Sequence, residues 1–305
     1  MKGNWIYYAG LVAVSAIWGS NYAFTRYVLE SLDPVLYTFI RFVIALPLFF
    51  ILLKLREGNV KIEARDAGKI ALAGLLGVTI LEFSSINAIK YTTLTNASLL
   101  STAPLPIFVA LFSLFANETM TARLLVGGGA AITGVCLIIL GGHGSFDLNS
   151  HYMLGNMLAL NVSIVGALYS LFSMSLMRKY SALRMTSWFI LFGTIFMIPF
   201  TWSSWEKVNW AELAAPVYAA LIYNVLLCTV LSFVIWNICM KKLGATKASF
   251  FRYITPMAAA IVGFLIYREP SGTLQLIGAF IICFGLIWIN TEKAATVIHK
   301  KDAKA

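Results

Sequence analysis

Charge is what this sequence has little of. Of its 305 residues only 12% are charged, while 60% are hydrophobic and the mean hydropathy is +0.82. Soluble domains carry about a quarter charged residues, so a chain whose bulk faces water is excluded and lipid is the expected solvent. Histidine is scarce too: His143 falls in a loop, His151 at the edge of an apolar run and His299 in the tail. A hydrolase or acyltransferase working within a membrane needs a base beside its nucleophile, and no histidine stands at that depth. The four cysteines, Cys136, Cys228, Cys239 and Cys283, all lie in apolar runs without paired or metal-type spacing; they read as small core residues. A G-x-x-x-x-G-K-[ST] phosphate loop is missing. The expectation is therefore a chain with no catalytic residues, no metal and no cofactor, neither an enzyme nor an ATP-driven pump.

What is present is apolar length. Ten runs of about 19–26 residues can be marked, at 6–27, 34–55, 67–89, 95–116, 122–141, 153–177, 185–203, 215–240, 245–267 and 273–291, roughly the length that crosses a bilayer as a helix. The links between them are often under ~10 residues and leave no room for a soluble domain. In lipid every backbone polar group must be satisfied within its own segment, which makes these spans helices and the fold all-α. The first run is not a cleaved signal peptide, because it has only Lys2 as a basic lead and continues apolar through "IWGSNYAF". Orientation follows from the 23 lysines and arginines. Seventeen fall on the side of the termini and four on the other, with Arg41 and Arg252 left inside spans. That bias places both termini, including a basic tail at 293–305, in the cytoplasm. It also accounts for the net charge of +10 without nucleic acid; the bilayer is the expected partner.

A displacement of 151 residues brings the halves into register. Ala16 falls on Ala167, Trp18 on Tyr169, Thr95 on Thr246, Ala97 on Ala248, Ser98 on Ser249, Glu118 on Glu269, Gly127 on Gly278 and Gly134 on Gly285; Pro47/Pro199 and Pro104/Pro256 match at 152. The chain thus divides into 1–145 and 152–292, five spans each. Five is odd, so the second half enters the membrane inverted, a recurring design of secondary transporters that work by alternating access. Pro104 and Pro256, at matched mid-span positions, are candidate helix breaks or gating points, since proline removes a helical hydrogen bond.

The stretches "AIWGSNYAFTRYVL", "YTFIRFVIALPLFF", "AIKYTTLTNASLLSTAPLPIFVALFSLFANE" and "KKLGATKASFFRYITPMAAAIVGFLIYREPSGTLQLIGAFIICFGLIWI" resemble the drug/metabolite transporter superfamily, in particular its EamA-like ten-helix exporters, over nearly the whole chain. The resemblance implies a central cavity lined mainly by helices one, three, four, six, eight and nine, helices five and ten at the periphery, and export of amino acids, related metabolites or drugs. Pro104 sits one residue early relative to that pattern, and the family does not fix charges at Glu82 or Arg252.

Glu82 is the one acidic residue well inside a span, and Arg252 is its basic counterpart; their repeat mates are Phe233 and Ser101. Buried ionisable groups in spans are costly and tend to face a partner or an aqueous cavity. At ~1.5 Å per residue they lie roughly 6 Å to either side of the midplane. Three readings stand: a mutual salt bridge, snorkelling of Arg252 to the interface, or contact with substrate. In the last, Arg252 holds a carboxylate and Glu82 an ammonium or a coupling proton. Trp18 and Tyr22, four apart on one helical face, and Tyr169, mate of Trp18, offer an aromatic lining; Tyr223 and Tyr253 are further candidates. Arg41, near the outer end of its span, is expected to snorkel as a structural residue. Glu118 and Glu269 are expected to anchor helix ends, and Trp5, Tyr7, Tyr8, Trp202, Trp205 and Trp210 to form an interfacial belt. The run "VGGGAAITG" at 126–134 permits close helix packing, within the monomer or against a second protomer. The expected function is a multi-pass exporter, in the cytoplasmic membrane, of amino acids or similar zwitterions. An exporter of aromatic or quaternary cations is the alternative, with an ion channel or a sensor further off.

Overall fold

The computed structural model describes residues 4–92, 94–102, 104–105, 108–109, 112, 122–141, 150–208, 210, 213–267 and 273–290. Among the described residues all regular structure is helical. We label α1 (Trp5–Leu29), α2 (Pro34–Glu57), α3 (Ala64–Tyr91), α4 (from Leu94, regular to Thr102), α5 (Ala122–Gly141), α6 (Ser150–Met177), α7 (Ala182–Thr201), α8 (Ala215–Leu243), α9 (from Ala245 to Tyr267) and α10 (Thr273–Asn290). Among the described residues six helices are long and apolar enough to cross a membrane: α2, α3, most of α6, α7, α8 and most of α9. Trp5 and Trp202 stand exposed near helix ends, as an interfacial belt requires.

Helix ends follow local chemistry. The Asp33 carboxylate accepts from the amides of Val35 and Leu36, with Pro34 in the first turn of α2, and Ser181 Oγ accepts from the Arg184 amide at the start of α7. Gly244, at φ 91°, ends α8 and lets α9 begin at the next residue.

The packing repeats when the halves are exchanged. α1 lies against α8 and α9, and α6 against α3 and α4; α2 contacts α8, and α7 contacts α3; α2 packs on α7, and α5 on α10. Replacing each helix by its mate five places along maps this set of pairs onto itself. In the glycine run of α5, Gly128 lies against the Phe250 ring of α9 in the same chain.

Two interruptions were not visible in the sequence. α3 widens to a π-helical turn at Leu75–Ile80 and α8 does so at Asn224–Leu231. The 151-residue displacement carries the first segment inside the second, so the irregularity is shared by the repeats. Neither contains proline. Near the matched prolines the backbone is also irregular. α9 tightens to a 3-10 turn at Phe251–Tyr253, three residues before Pro256, whose missing N–H leaves the Arg252 carbonyl without its i+4 amide. Regular α4 stops at Thr102, and the Phe108 amide donates to the Pro104 carbonyl. Pro47 and Pro199 sit inside continuous helices.

Candidate functional site

The π-helical turns lie beside the aromatic mates singled out from the sequence. Trp18 of α1 donates its Nε1–H to the Cys228 carbonyl in the α8 turn, at 3.0 Å. Tyr169 of α6 lies on Gly77 in the α3 turn so closely that a Cβ there would come within 2.0 Å of the ring. Gly77 and Cys228 are themselves 151 apart. Each half's aromatic thus rests on the other half's irregular turn at an equivalent position, one by a hydrogen bond and the other by ring packing. Such turns expose backbone carbonyls and recur at functional sites. A second tight crossing sits next door: a Cβ on Gly19 would lie 2.4 Å from the Thr255 carbonyl, which fixes α1 against α9 beside Pro256.

Between these contacts lies a cavity of about 790 Å³, counting the part open to solvent. Trp18, Tyr22, Glu82, Tyr169 and Arg252 all line it, together with Arg41, Gly77, Cys228, Phe233 and Trp236. Five of the seven expected contact residues are therefore brought together. The other two are not among its lining residues. Tyr223 is bonded to the Ser20 hydroxyl with its ring tilted on Phe24, and Tyr253 is fully buried against Phe250. Both had been judged by helix and depth alone, and rotation about the helix axis turns them away. Glu118 and Glu269 lie outside the described residues.

The charges are arranged differently from every expectation about Arg41. Rather than snorkelling, Arg41 is buried, its side chain 3% exposed, and forms an ion pair with Glu82, whose side chain is 12% exposed. The Arg41 guanidinium also faces the rings of Phe42 and Tyr37, at 4.8 and 5.8 Å. Glu82 is thus occupied by a partner from α2, and no Glu82–Arg252 ion pair is present. Snorkelling fails for Arg252 too. Its guanidinium lies 4.5 Å from the Trp18 ring centroid and 5.8 Å from that of Trp236, and its Nε is buried without a hydrogen-bond partner. Among the described residues no carboxylate forms an ion pair with it. One wall of the cavity carries the Arg41–Glu82 pair; the facing wall, Phe233 and Trp236, is aromatic, with Trp18 packed edge-on or tilted on both. Phe233 is the repeat mate of Glu82, so equivalent positions supply opposite chemistry to one space. Tyr169 is held in place by its hydroxyl donating to Asn237 Oδ1, at 3.3 Å, and by Phe189 against its ring.

With this arrangement in view, comparison with known proteins is decisive. The model of the EamA-like transporter family matches twice, at residues 5–140 and 153–291. The chain belongs to the EamA-like transporter family. Its match in duplicate agrees with the two halves recognised by displacement. Similar proteins include an uncharacterized transporter of Archaeoglobus fulgidus, 30% identical over 93% of this chain and 96% of its own. Another is the uncharacterized transporter YetK of Bacillus subtilis, 28% identical over 98% and 88%. A probable terminal-alkyne amino-acid exporter of Streptantibioticus cattleyicolor is 27% identical over 75% and 74%. A protein of known crystal structure superposes with a TM-score of 0.75 at 18% identity, covering 93% of this chain and 96% of that one; it shares the fold. The chain is a membrane transporter.

Proposed function

We propose that this EamA-like transporter exports amino acids or similar small zwitterionic metabolites across the cytoplasmic membrane by alternating access. Its ten spans would be set as two inverted repeats with both termini inside. The observation that carries the reading is Arg252: a guanidinium without a carboxylate partner among the described residues, in a cavity between the repeats, backed by Trp18 and Trp236. A desolvated guanidinium fork is suited to a carboxylate. The Streptantibioticus relative, named a probable amino-acid exporter, supports the same class. The exchange-symmetric packing is the arrangement expected where two repeats swap conformations. The rival, export of organic cations through Glu82, is weakened because Glu82 is taken by Arg41.

Thermal unfolding of the purified protein against amino acids, carboxylates and organic cations tests the reading. A ligand of the folded state at a hundred times its Kd adds ~2.7 kcal/mol. Neutral amino acids should stabilise the wild type and not Arg252→Gln. Stabilisation by cations alone, abolished in Glu82→Gln, would refute it.

A further inference from the structure

The arrangement of charge in this cavity says which end of the ligand is held. The charged side chains lining it, among the described residues, are Arg41, Glu82 and Arg252. Arg41 and Glu82 neutralise each other. Glu82 gives one oxygen to Arg41 and its charge is balanced there, so an ammonium on its other oxygen would bring a further uncompensated positive charge into the cavity beside Arg252. Arg252 remains, and it gives the cavity one unmatched positive charge. A second cation placed there is repelled by Arg252 and finds only an anion already balanced by Arg41, whereas a carboxylate finds a fork already stacked on Trp18 with a free N–H. The Trp18 indole N–H is committed to the Cys228 carbonyl and offers only its ring face.

Resting on the transporter reading above, we infer that the site recognises its ligand through the carboxylate and an apolar or aromatic body, and that the α-amino group supplies no ionic anchor. Amino acids therefore share the site with the carboxylic acids of the same side chain that lack the amine. An ammonium-free monocarboxylate is the better fit to a cavity of net charge +1.

The experiment compares matched probes on the wild-type full-length protein, so that no variant need fold. Dissociation constants are measured by tryptophan fluorescence in detergent for phenylalanine, 3-phenylpropionate and phenylalaninamide, and for leucine, 4-methylpentanoate and leucinamide. In the series that binds, the amine-free acid should have a Kd equal to or below that of the amino acid, and the amide should be weaker than both by at least about tenfold, one hydrogen-bonded charge pair being worth that much or more. Arg252→Lys, which keeps the charge and loses the fork, should weaken both acids alike. An amino acid binding tenfold or more tighter than its amine-free partner overturns the inference and leaves the transporter of amino acids standing. Binding of tetraphenylphosphonium with none of the acids or amino acids overturns both.

Discussion

Removal of Glu82 should destabilise the protein well beyond what an exposed ion pair could explain. Exposed pairs contribute about 0–1 kcal/mol, but the Arg41 side chain is 3% exposed and that of Glu82 12%. The buried regime applies, in which loss of one partner strands a desolvated charge at a cost of about 3–5 kcal/mol. Arg41 has no second carboxylate to fall back on among the described residues, and its Nε already lacks a hydrogen-bond partner. Extrapolating the size scaling of melting to this length, each kcal/mol moves the midpoint by about 2 °C, so Glu82→Ala should lower it by roughly 6–10 °C. Glu82→Gln, which retains an acceptor, should lie between this and wild type. Arg41→Met combined with Glu82→Leu should recover most of the loss, since apolar replacement of both partners is often neutral. The assay is thermal unfolding in one detergent, followed by tryptophan fluorescence with and without reversal on cooling. A shift of 2 °C or less for Glu82→Ala would refute the reasoning, because it would mean that water reaches Arg41 and the pair is effectively exposed.

Gly77→Leu should be destabilising by about 1–3 kcal/mol through overpacking against Tyr169, and Tyr169→Ala in the same chain should restore part of it; an unchanged melting curve for the single variant would show that the contact is absent. Trp18→Phe keeps a ring but leaves the Cys228 carbonyl without its donor, so about 1 kcal/mol of stability should go, together with severalfold weaker ligand binding as Arg252 loses its better platform. Near the α2–α3 link, Lys179 holds the Glu63 carboxyl below its ordinary 4.5, chiefly by a hydrogen bond; Lys179 itself is raised above its ordinary 10.5 by its hydrogen bonds to Asp66 and then Glu63. The Glu63 contribution is complete above its unfolded value and is lost as pH falls through the lower folded one. That of Lys179 is complete below its unfolded value and is lost as pH rises through the higher folded one. Stability from this cluster should thus be flat from about pH 5 to 10 and fall on either side. Lys179→Met should flatten the acid limb measured from pH 5 to 3, and an unaltered limb would exclude the cluster as its source.

The helical class and the two halves were legible because both rest on repeated, redundant signals: apolar runs and a shared displacement across several spans. The cavity's position followed from the same displacement, since Trp18 and Tyr169 are mates. Contact partners were harder. The ion pair of Arg41 with Glu82 could have been found from depth. Arg41 lies seven residues from the start of α2 and Glu82 nine from the end of α3, so at ~1.5 Å per residue they stand about 10 and 14 Å from the same end of two adjacent antiparallel helices. Depth alone, however, also sets Glu82 against Arg252 and lets Arg41 reach the interface. Trp236 gave no signal of its own, being one aromatic among many on α8. The π-helical turns have no composition signature either, but the mates Gly77 and Cys228 hint at them: both are small, at the point where a large ring from the other half must fit. Tyr223 and Tyr253 show the limit of helix-and-depth reasoning, which does not fix rotation about the axis.

The two ends of the molecule are joined across the halves very differently. At the end where α2 leads into α3, the Glu57 carboxylate takes Arg184 at 2.9 Å and also the Ser181 hydroxyl. Lys179 bridges Glu63 and Asp66 at 2.5 and 2.6 Å, Tyr180 donates to Asp66, and the Trp188 indole donates to the Val60 carbonyl. At the opposite end the corresponding link among the described residues is a Ser204–Asp33 hydrogen bond of 3.5 Å with Phe39 edge-on to Trp205, and the Thr92 hydroxyl donates to Asn156 Oδ1 at 2.8 Å. The repeats therefore share their packing and their irregular turns but not their closures. A motion that exchanged the conformations of the halves would break a charged cluster at one end and, among the described residues, neutral hydrogen bonds and a ring contact at the other. On the proposed alternating access, the two halves would differ at these links and not in the near-symmetric contacts of Trp18 on α8 and Tyr169 on α3.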